Sequence, residues 1–573
     1  MKKDISYILI IAAITLLWFI VAFSGFRTVE KSDWDMVFGY HQSQREIILK
    51  YHQLPLWNPF FSGGEPWLAH PVSDFLSPFF VFVLLFGTVS GTIIAYLFQA
   101  LIGLLGIYFL SRYYKLNHNL SLLNAILALS IFNRIAYIGI FIMLSFAFIP
   151  WAYLFFNKSK TNNKYFIYTT AVTTIILYSG YTYVFVMLSI ILAIDAIFYI
   201  FENKKPKFIL TLLGILTLSL FLASPKILPM FELLNQYPRL KVSVWSNFLI
   251  NPGNLLPAVA ELKELLLPQE SFYFLNGLSN YDFIRHIMLF LLVFSLVVIP
   301  LFLWKKYKVL IITGFIFIAI SLADKSPLNL WGLLHFFLPS MGGPGKFAAV
   351  FLMMFALSIG LTINELKSNT FVNRVLRFIL MVLFTILTIC IFSFAYEIFK
   401  TRPAITYHLD NHPREFTQRN CSPGKIFEII HNNGGAVSTK AILFMDTIGG
   451  QIQKKVLTQE EVGYKGEYYL KNCINQLGQV FFSPNKLIFK LRLIDRDTLV
   501  INQNYFPGWH SSRGKVKSCD GLLSVTLNKT DNEATFYYMP ASFVLGITLC
   551  LLTLLGLMVK LIFIHKPWLK IPV

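Results

Sequence analysis

Charge is scarce in this chain. Only 14% of its 573 residues are Asp, Glu, Lys or Arg, whereas a soluble globular protein carries about 25%. Acidic residues are the scarcer kind, with 29 Asp and Glu against 49 Lys and Arg and a formal net charge of +20. Five cysteines are too few for a disulfide scaffold. The chain has no Walker-type phosphate loop, no His-Glu-x-x-His metal motif, no Ser/His/Asp signature and no interleaving of basic and aromatic residues of the nucleic-acid kind. What it has in abundance is apolar sequence: 56% of residues are hydrophobic, and the mean hydropathy is +0.61. The apolar stretches recur too often and run too long for buried core helices, so the composition is that of a polytopic α-helical membrane protein.

Lys2 and Lys3 precede an apolar run from Ile5 to Phe23 that exceeds a signal-peptide core, which reads as an uncleaved anchor. Further runs of spanning character lie near 90–111, 119–136, 138–156, 165–180, 182–201, 208–226, 286–304, 308–322, 347–364, 378–396 and 542–564. With the first, these make twelve expected spans. Arg112 and Lys115, Lys158 to Lys164, Lys204 to Lys207, Lys305 to Lys308, Lys367 to Arg377, and the tail with Lys566 and Lys570 then all fall on the side of the N-terminus. Lysine and arginine mark the cytoplasmic face, so both termini are expected there. The segment Phe75 to Phe86 is too short for a span of roughly 20 residues and reads as a re-entrant or interfacial helix.

The outer face is expected to receive four long segments, 26–89, 227–285, 323–346 and 397–541. The first three belong to a transmembrane domain over 1–396. The fourth is polar, with strand-like stretches such as Thr498 to Ile501 and Ala534 to Tyr538, and reads as a small, mainly β extracytoplasmic domain. A last helix and a cytoplasmic tail fill 542–573. Cys421, Cys473 and Cys519 fall in the β domain, where an odd count leaves pairing unassigned.

The first outer loop is the richest in chemistry. Asp33 and Asp35 flank Trp34 just beyond the first span. A partly desolvated Asp has a raised pKa and accepts a proton from a hydroxyl nucleophile. The i, i+2 spacing also suits joint contact with a divalent cation, and nothing else in the sequence calls for a cofactor. The alternative is that both Asp residues cap the helix that follows. Further along, Trp57, Trp67, Tyr178, Tyr181 and Tyr183 suit sugar stacking as well as membrane-interface anchoring. His70 stands without a partner at metal spacing, and Asp74 is placed to cap the short helix after it.

The run Asp35, Tyr40, Leu54-Pro55-Leu56-Trp57-Asn58-Pro59, Gly63-Gly64 and Pro71 resembles the first-loop signature of the YfhO family of bacterial membrane proteins, which is assigned to the GT-C class of glycosyltransferases. Leu228-Pro229 with Glu232-Leu233 and Arg239, then Leu338-Pro339 and Gly343-Pro344-Gly345-Lys346-Phe347, continue the resemblance. Pro507-Gly508-Trp509, Asp520-Gly521 and Tyr538-Met539-Pro540 extend it to the end, in family order over nearly the whole chain. Where the family often has Gly-His-Pro-Gln after the fifth span, this chain has Gly180-Tyr181-Thr182-Tyr183.

The resemblance implies a GT-C-like fold and transfer of a sugar from a polyprenyl-phosphate-linked donor to an envelope glycan or lipid-linked acceptor, with inversion. It makes Asp35 the expected base and Asp33 its electrostatic partner or a metal ligand. Lys346 and Arg239 are the expected cations for the leaving phosphate, against the alternative of ordinary boundary and loop cations. Trp57, Asn58, His70, Asp282 and Arg285 are expected near substrate. Two rival functions remain open: a flippase or other transporter of lipid-linked sugars, which would place paired ionisable residues inside its spans, and a noncatalytic envelope assembly protein. Membrane lipids are the expected surroundings, and nucleic acid is not an expected partner.

Overall fold

The computed structural model describes residues 2–24, 34–138, 141–180, 182–236, 304, 306–338, 343–366, 371–397, 407–410, 415–421, 424–437 and 456–565. Asp33, Tyr181, Arg239, Asp282 and Arg285 lie outside them, as do residues 286–303 of the span expected at 286–304.

The chain is a polytopic helical membrane protein with a β region. Among the described residues seven helices are long and apolar enough to cross a membrane: Lys3–Phe23, Thr88–Tyr113, Thr182–Asn203, Lys306–Lys325, Pro344–Glu365, Asn373–Tyr396 and Ala541–Val559. Several present large apolar side chains outward, among them Leu551, Leu552, Leu555 and Met558 on the last helix. In a bilayer such a face meets hydrocarbon, while the backbone is satisfied within the helix. Inside the bundle, polar contacts tie helices together. The Trp18 indole donates to Asn133 Oδ1 at 2.6 Å, and Asn133 Nδ2 donates to the Ile391 carbonyl at 2.7 Å.

Four expected spans take other forms. Residues 118–138 form two ten-residue helices, His118–Leu127 and Leu129–Ile138. The run at 138–156 has a 3-10 stretch, Phe141–Phe148, before the helix Ile149–Ser159. Pro150 sits at the start of that helix, where its missing N–H costs nothing. The helix Lys164–Tyr178 has 15 residues. Phe208–Leu222 is followed by Ser224–Gln236 at a bend of 83°; Pro225 supplies no N–H to continue the ladder across it. Phe80–Phe86 has seven residues, too few to cross.

The two ends of the bundle differ chemically. At one end Asp4 faces His118 at 3.6 Å, Lys160 meets Asp195 at 2.5 Å, Lys306 meets Glu365 at 2.5 Å and Lys308 meets Glu202 at 2.9 Å. At the other end lie the first loop and the β region. The loop supplies the helix Trp34–Leu49 and the two-residue pairing Trp57↔Pro66, Asn58↔Glu65.

The β region holds two four-stranded sheets. One runs in the order Val516–Cys519, Leu522–Leu527, Asp497–Asn504, Tyr468–Leu470; the other runs Gln476–Ser483, Lys486–Arg492, Glu533–Tyr538, Trp509–Ser511. Lys486–Arg492 alternates inward Leu487, Phe489 and Leu491 with outward Lys486, Lys490 and Arg492, the period of a half-buried strand.

The loop and the β region share one core. Leu56, Trp57, Leu68 and Ala69 of the loop pack with Phe489, Trp509, Phe536 and Tyr538. Trp57 is fully buried, its ring 5.4 Å from Trp509 and 5.0 Å from Tyr538, with its Nε1 donating to Gln503 Oε1 at 2.8 Å. Asn485 accepts from the Trp57 N–H at 2.9 Å and donates to the Leu54 carbonyl at 2.6 Å. Asn504 donates to the carbonyls of Ser62 and Gly64 at 2.6 and 3.1 Å. Gly64, at φ +99°, leaves the room that the Trp57 ring occupies. Leu54-Pro55-Leu56-Trp57-Asn58-Pro59, Pro507-Gly508-Trp509 and Tyr538-Met539-Pro540, far apart in sequence, therefore meet at one junction.

Replacing Trp57 by Ala should destabilise the folded protein by about 3–5 kcal/mol, the usual cost of emptying a buried aromatic site. Thermal unfolding in detergent micelles measures this. An unchanged midpoint would mean that the loop and the β region are stable apart.

Candidate functional site

Asp35 opens the loop helix but acts elsewhere. Its Oδ2 accepts from the Ile426 N–H at 2.9 Å, and its Oδ1 accepts from the Phe427 N–H at 3.2 Å and the Tyr407 hydroxyl at 3.0 Å. Ile426 begins the six-residue helix Ile426–His431, whose first amides have no partner within the helix. The carboxylate thus caps a helix, though one in the β region and not the one it begins. Burial pushes the Asp35 carboxyl above the usual range, against the pull of those amides and Tyr407. At 3% exposure, the group has both oxygens engaged by protein donors.

The other expected residues of the loop are structural in their contacts. Trp57 lies in the junction core. Asn58 donates to Ser43 Oγ at 3.0 Å and accepts from the Phe60 N–H at 3.0 Å. His70 lies flat on Trp67, ring centroids 5.0 Å apart at 9°. Among the described residues no group of three His, Cys, Asp or Glu is placed to hold a metal ion.

A different carboxylate stands at the centre of a polar cluster. Asp74 Oδ2 lies 2.9 Å from His41 Nε2, and its Oδ1 accepts from Gln44 Nε2 at 3.2 Å. It does not cap the short helix after it, whose first residues have no side-chain cap. The His41 ring is buried, its Nδ1 2.6 Å from Thr92 Oγ1 on the helix Thr88–Tyr113. Lys226, buried in the bent helix Ser224–Gln236, donates to the carbonyl of Ser73. Burial drives the Asp74 carboxyl upward, yet His41, Gln44 and Lys226 together hold it below the usual carboxylate range. Its side chain keeps 26% exposure, so it is charged and open on one side.

Gly180 adopts φ +82° and brings the turn after Lys164–Tyr178 against this cluster; a Cβ there would lie 3.3 Å from the Val72 carbonyl and 3.5 Å from Asp74 Cβ. Three residues on, the Tyr183 ring carries the Lys346 ammonium at 5.0 Å from its centroid, a cation–π contact. Gly343, at φ +73°, makes room for the lysine stem, since a Cβ would meet Lys346 Cε at 2.9 Å. Gly180 thus lies against Asp74 and Tyr183 against Lys346, both at the loop end of the bundle. The sequence carried a signal for this cluster: Lys226 is a lone cation in an apolar run, and ionisable residues in such runs are functional by default.

Glu65 is a second unusual carboxyl. It is 5% exposed in the loop pairing, and burial pushes its pKa up to about 8. No family model and no curated protein matches the chain.

The Glu65 shift fixes a pH dependence. Its folded value lies above the unfolded value of about 4.5, so the associated stability is complete below about 4.5 and is lost as pH rises through about 8. The melting temperature should fall between pH 5 and pH 9, and Glu65→Gln should flatten that slope. An equally steep slope in the variant would remove Glu65 as its cause.

Proposed function

We propose that the protein is an integral-membrane glycosyltransferase of the GT-C type, resembling the YfhO family. In this reading it uses a polyprenyl-phosphate-linked sugar and works at the loop end of the bundle. The observation that carries the reading is Asp74: a carboxylate held below the usual range, its side chain 26% exposed, where the first loop meets the helix ends. With both Asp35 oxygens engaged by the β region, the base role passes to Asp74, and Asp35 becomes the tie that holds the loop. Asp74 takes the proton of an acceptor hydroxyl as the oxygen attacks the anomeric carbon; the C–O bond to phosphate breaks, and polyprenyl phosphate leaves with its electron pair. One displacement inverts the anomeric centre. Lys346 offsets the charge that grows on the leaving phosphate.

The arrangement of cations supports the orientation. Basic residues gather at the end opposite the loop, which on the positive-inside rule is cytoplasmic. Both termini then lie in the cytoplasm of a bacterial cell, with about twelve spans, and the β region faces outward to an envelope glycan or lipid acceptor. The buried Lys160–Asp195 pair is what a transporter of lipid-linked sugars would carry. Here it lies toward the basic end, enclosed by Tyr199 and Asn157.

Purified protein should release polyprenyl phosphate from one member of a panel of polyprenyl-phosphate sugars when acceptor is present. Lys346→Met keeps the apolar stem and deletes the charge, so turnover should fall about ten- to hundredfold, the worth of one charge-assisted hydrogen bond. Transport of intact donor across vesicles without phosphate release would favour the transporter instead. Unchanged kinetics in Lys346→Met would make it a boundary lysine.

A further inference from the structure

Three contacts run in a line through His41. Thr92 Oγ1 lies 2.6 Å from the Thr88 carbonyl oxygen, Thr92 Oγ1 lies 2.6 Å from His41 Nδ1, and His41 Nε2 lies 2.9 Å from Asp74 Oδ2. Each is a hydrogen-bond distance, and each needs a hydrogen between its two heavy atoms. The Thr88 carbonyl has none to give. The Thr92 hydroxyl supplies one, and a neutral imidazole supplies one more, on either nitrogen but not both. Two hydrogens cannot fill three contacts. Whichever one were left empty would set lone pair against lone pair in a buried site, where the cost is highest.

We infer that the line holds a third proton, that the Gln44 donor on the other Asp74 oxygen and the Lys226 ammonium beside it at Ser73 favour the carboxylate over a protonated Asp74, so that His41 is an imidazolium, and that His41 is the positioning residue that keeps Asp74 anionic. The Thr92 hydrogen points to Thr88, the His41 Nδ1–H to Thr92, and the Nε2–H to Asp74. The other described neighbours fit that assignment. Gln44 Nε2 donates to the other Asp74 oxygen, as it would to an anion. Phe80, on the short helix, meets the His41 ring edge at 78° and brings no charge. Among the described residues the charged groups nearby include Lys226, from the bent helix, and Glu46, which engages Gln42 Nε2 at 3.0 Å; His431 Nδ1 lies 3.4 Å from that same nitrogen. The catalytic consequence rests on the reading of Asp74 as the base; the proton count does not.

The test therefore has two arms. In the first, ring-15N-histidine protein in lipid nanodiscs is observed by solid-state NMR at pH 7.5, with the His41 signals assigned by their loss in His41→Gln. Both ring nitrogens of His41 should be protonated in the wild type, and one in Asp74→Asn, where an amide replaces the anion. Thr92→Val should leave the pairing with Asp74 intact. A bare His41 nitrogen in the wild type would overturn the inference, whatever the protein does.

The second arm follows kcat against pH with the donor that supports turnover. His41→Gln removes the cation beside Asp74, and an opposite charge at this range moves a carboxyl by at least about one pH unit. The acidic limb should therefore move up by about one unit. A lower kcat with an unmoved limb would make His41 merely structural. If His41 is doubly protonated but no donor is consumed, the glycosyltransferase reading fails and the proton assignment stands.

Discussion

The first loop gathers Tyr40, Phe61, Trp67 and His70 on one another but closes its core only against the rest of the chain, and the rest of the arrangement depends on where it is buried. Its aromatic residues are enclosed by elements that arrive some 400 residues later: Trp57 by Trp509 and Tyr538, Tyr40 and Phe61 by the cluster around Phe416 and Ile426. Its backbone is met in the same way, with Asn485 and Asn504 acting as side-chain surrogates for strand partners. An unpaired buried amide or carbonyl costs about as much as a lost hydrogen bond. The loop conformation and the docking of the β region are therefore one event. The loop helix, pressed from that side, presents His41 and Gln44 to Asp74 on the other.

Asp35 illustrates how a carboxylate serves such a junction. A helix of six residues has nearly all its N–H groups unpaired at its start, and Asp35 supplies two acceptors there from across the fold. That role accounts for both its burial and its contact with Tyr407. Asp74 has the complementary environment: it is held by side chains, with a face left open.

The parts of the fold that depend on local pattern were legible in the sequence. Long apolar runs mark the spans at 5–23, 90–111, 182–201, 308–322, 347–364, 378–396 and 542–564, and alternation marks the strand Lys486–Arg492. The spans near 119–180 were less so. Hydropathy records that a segment is apolar but not whether a break such as that at Ala128 or the 3-10 stretch before Pro150 divides it. The candidate site was least legible, because the residues considered for it come from distant segments: His41 and Gln44 from the loop helix, Asp74 from the loop end, Thr92 and Lys226 from two other helices, and Lys346 from the start of another. Asp35 drew attention through its place beyond the first span, yet its amide partners lie 391 and 392 residues away, and no spacing rule reaches that far. The roles of Lys226 and of the glycines at 180 and 343 depend on what packs against them, which no local pattern records.

The central claim is a division of labour between two carboxylates, Asp35 as structural tie and Asp74 as base. It is tested most directly by measuring turnover per folded molecule and melting temperature side by side for Asp35→Asn and Asp74→Asn. The account predicts that Asp35→Asn melts lower while its folded fraction keeps turning over, and that Asp74→Asn melts near the wild type while turnover falls by about two to four orders of magnitude. A dead but stable Asp35→Asn beside an active Asp74→Asn would contradict it.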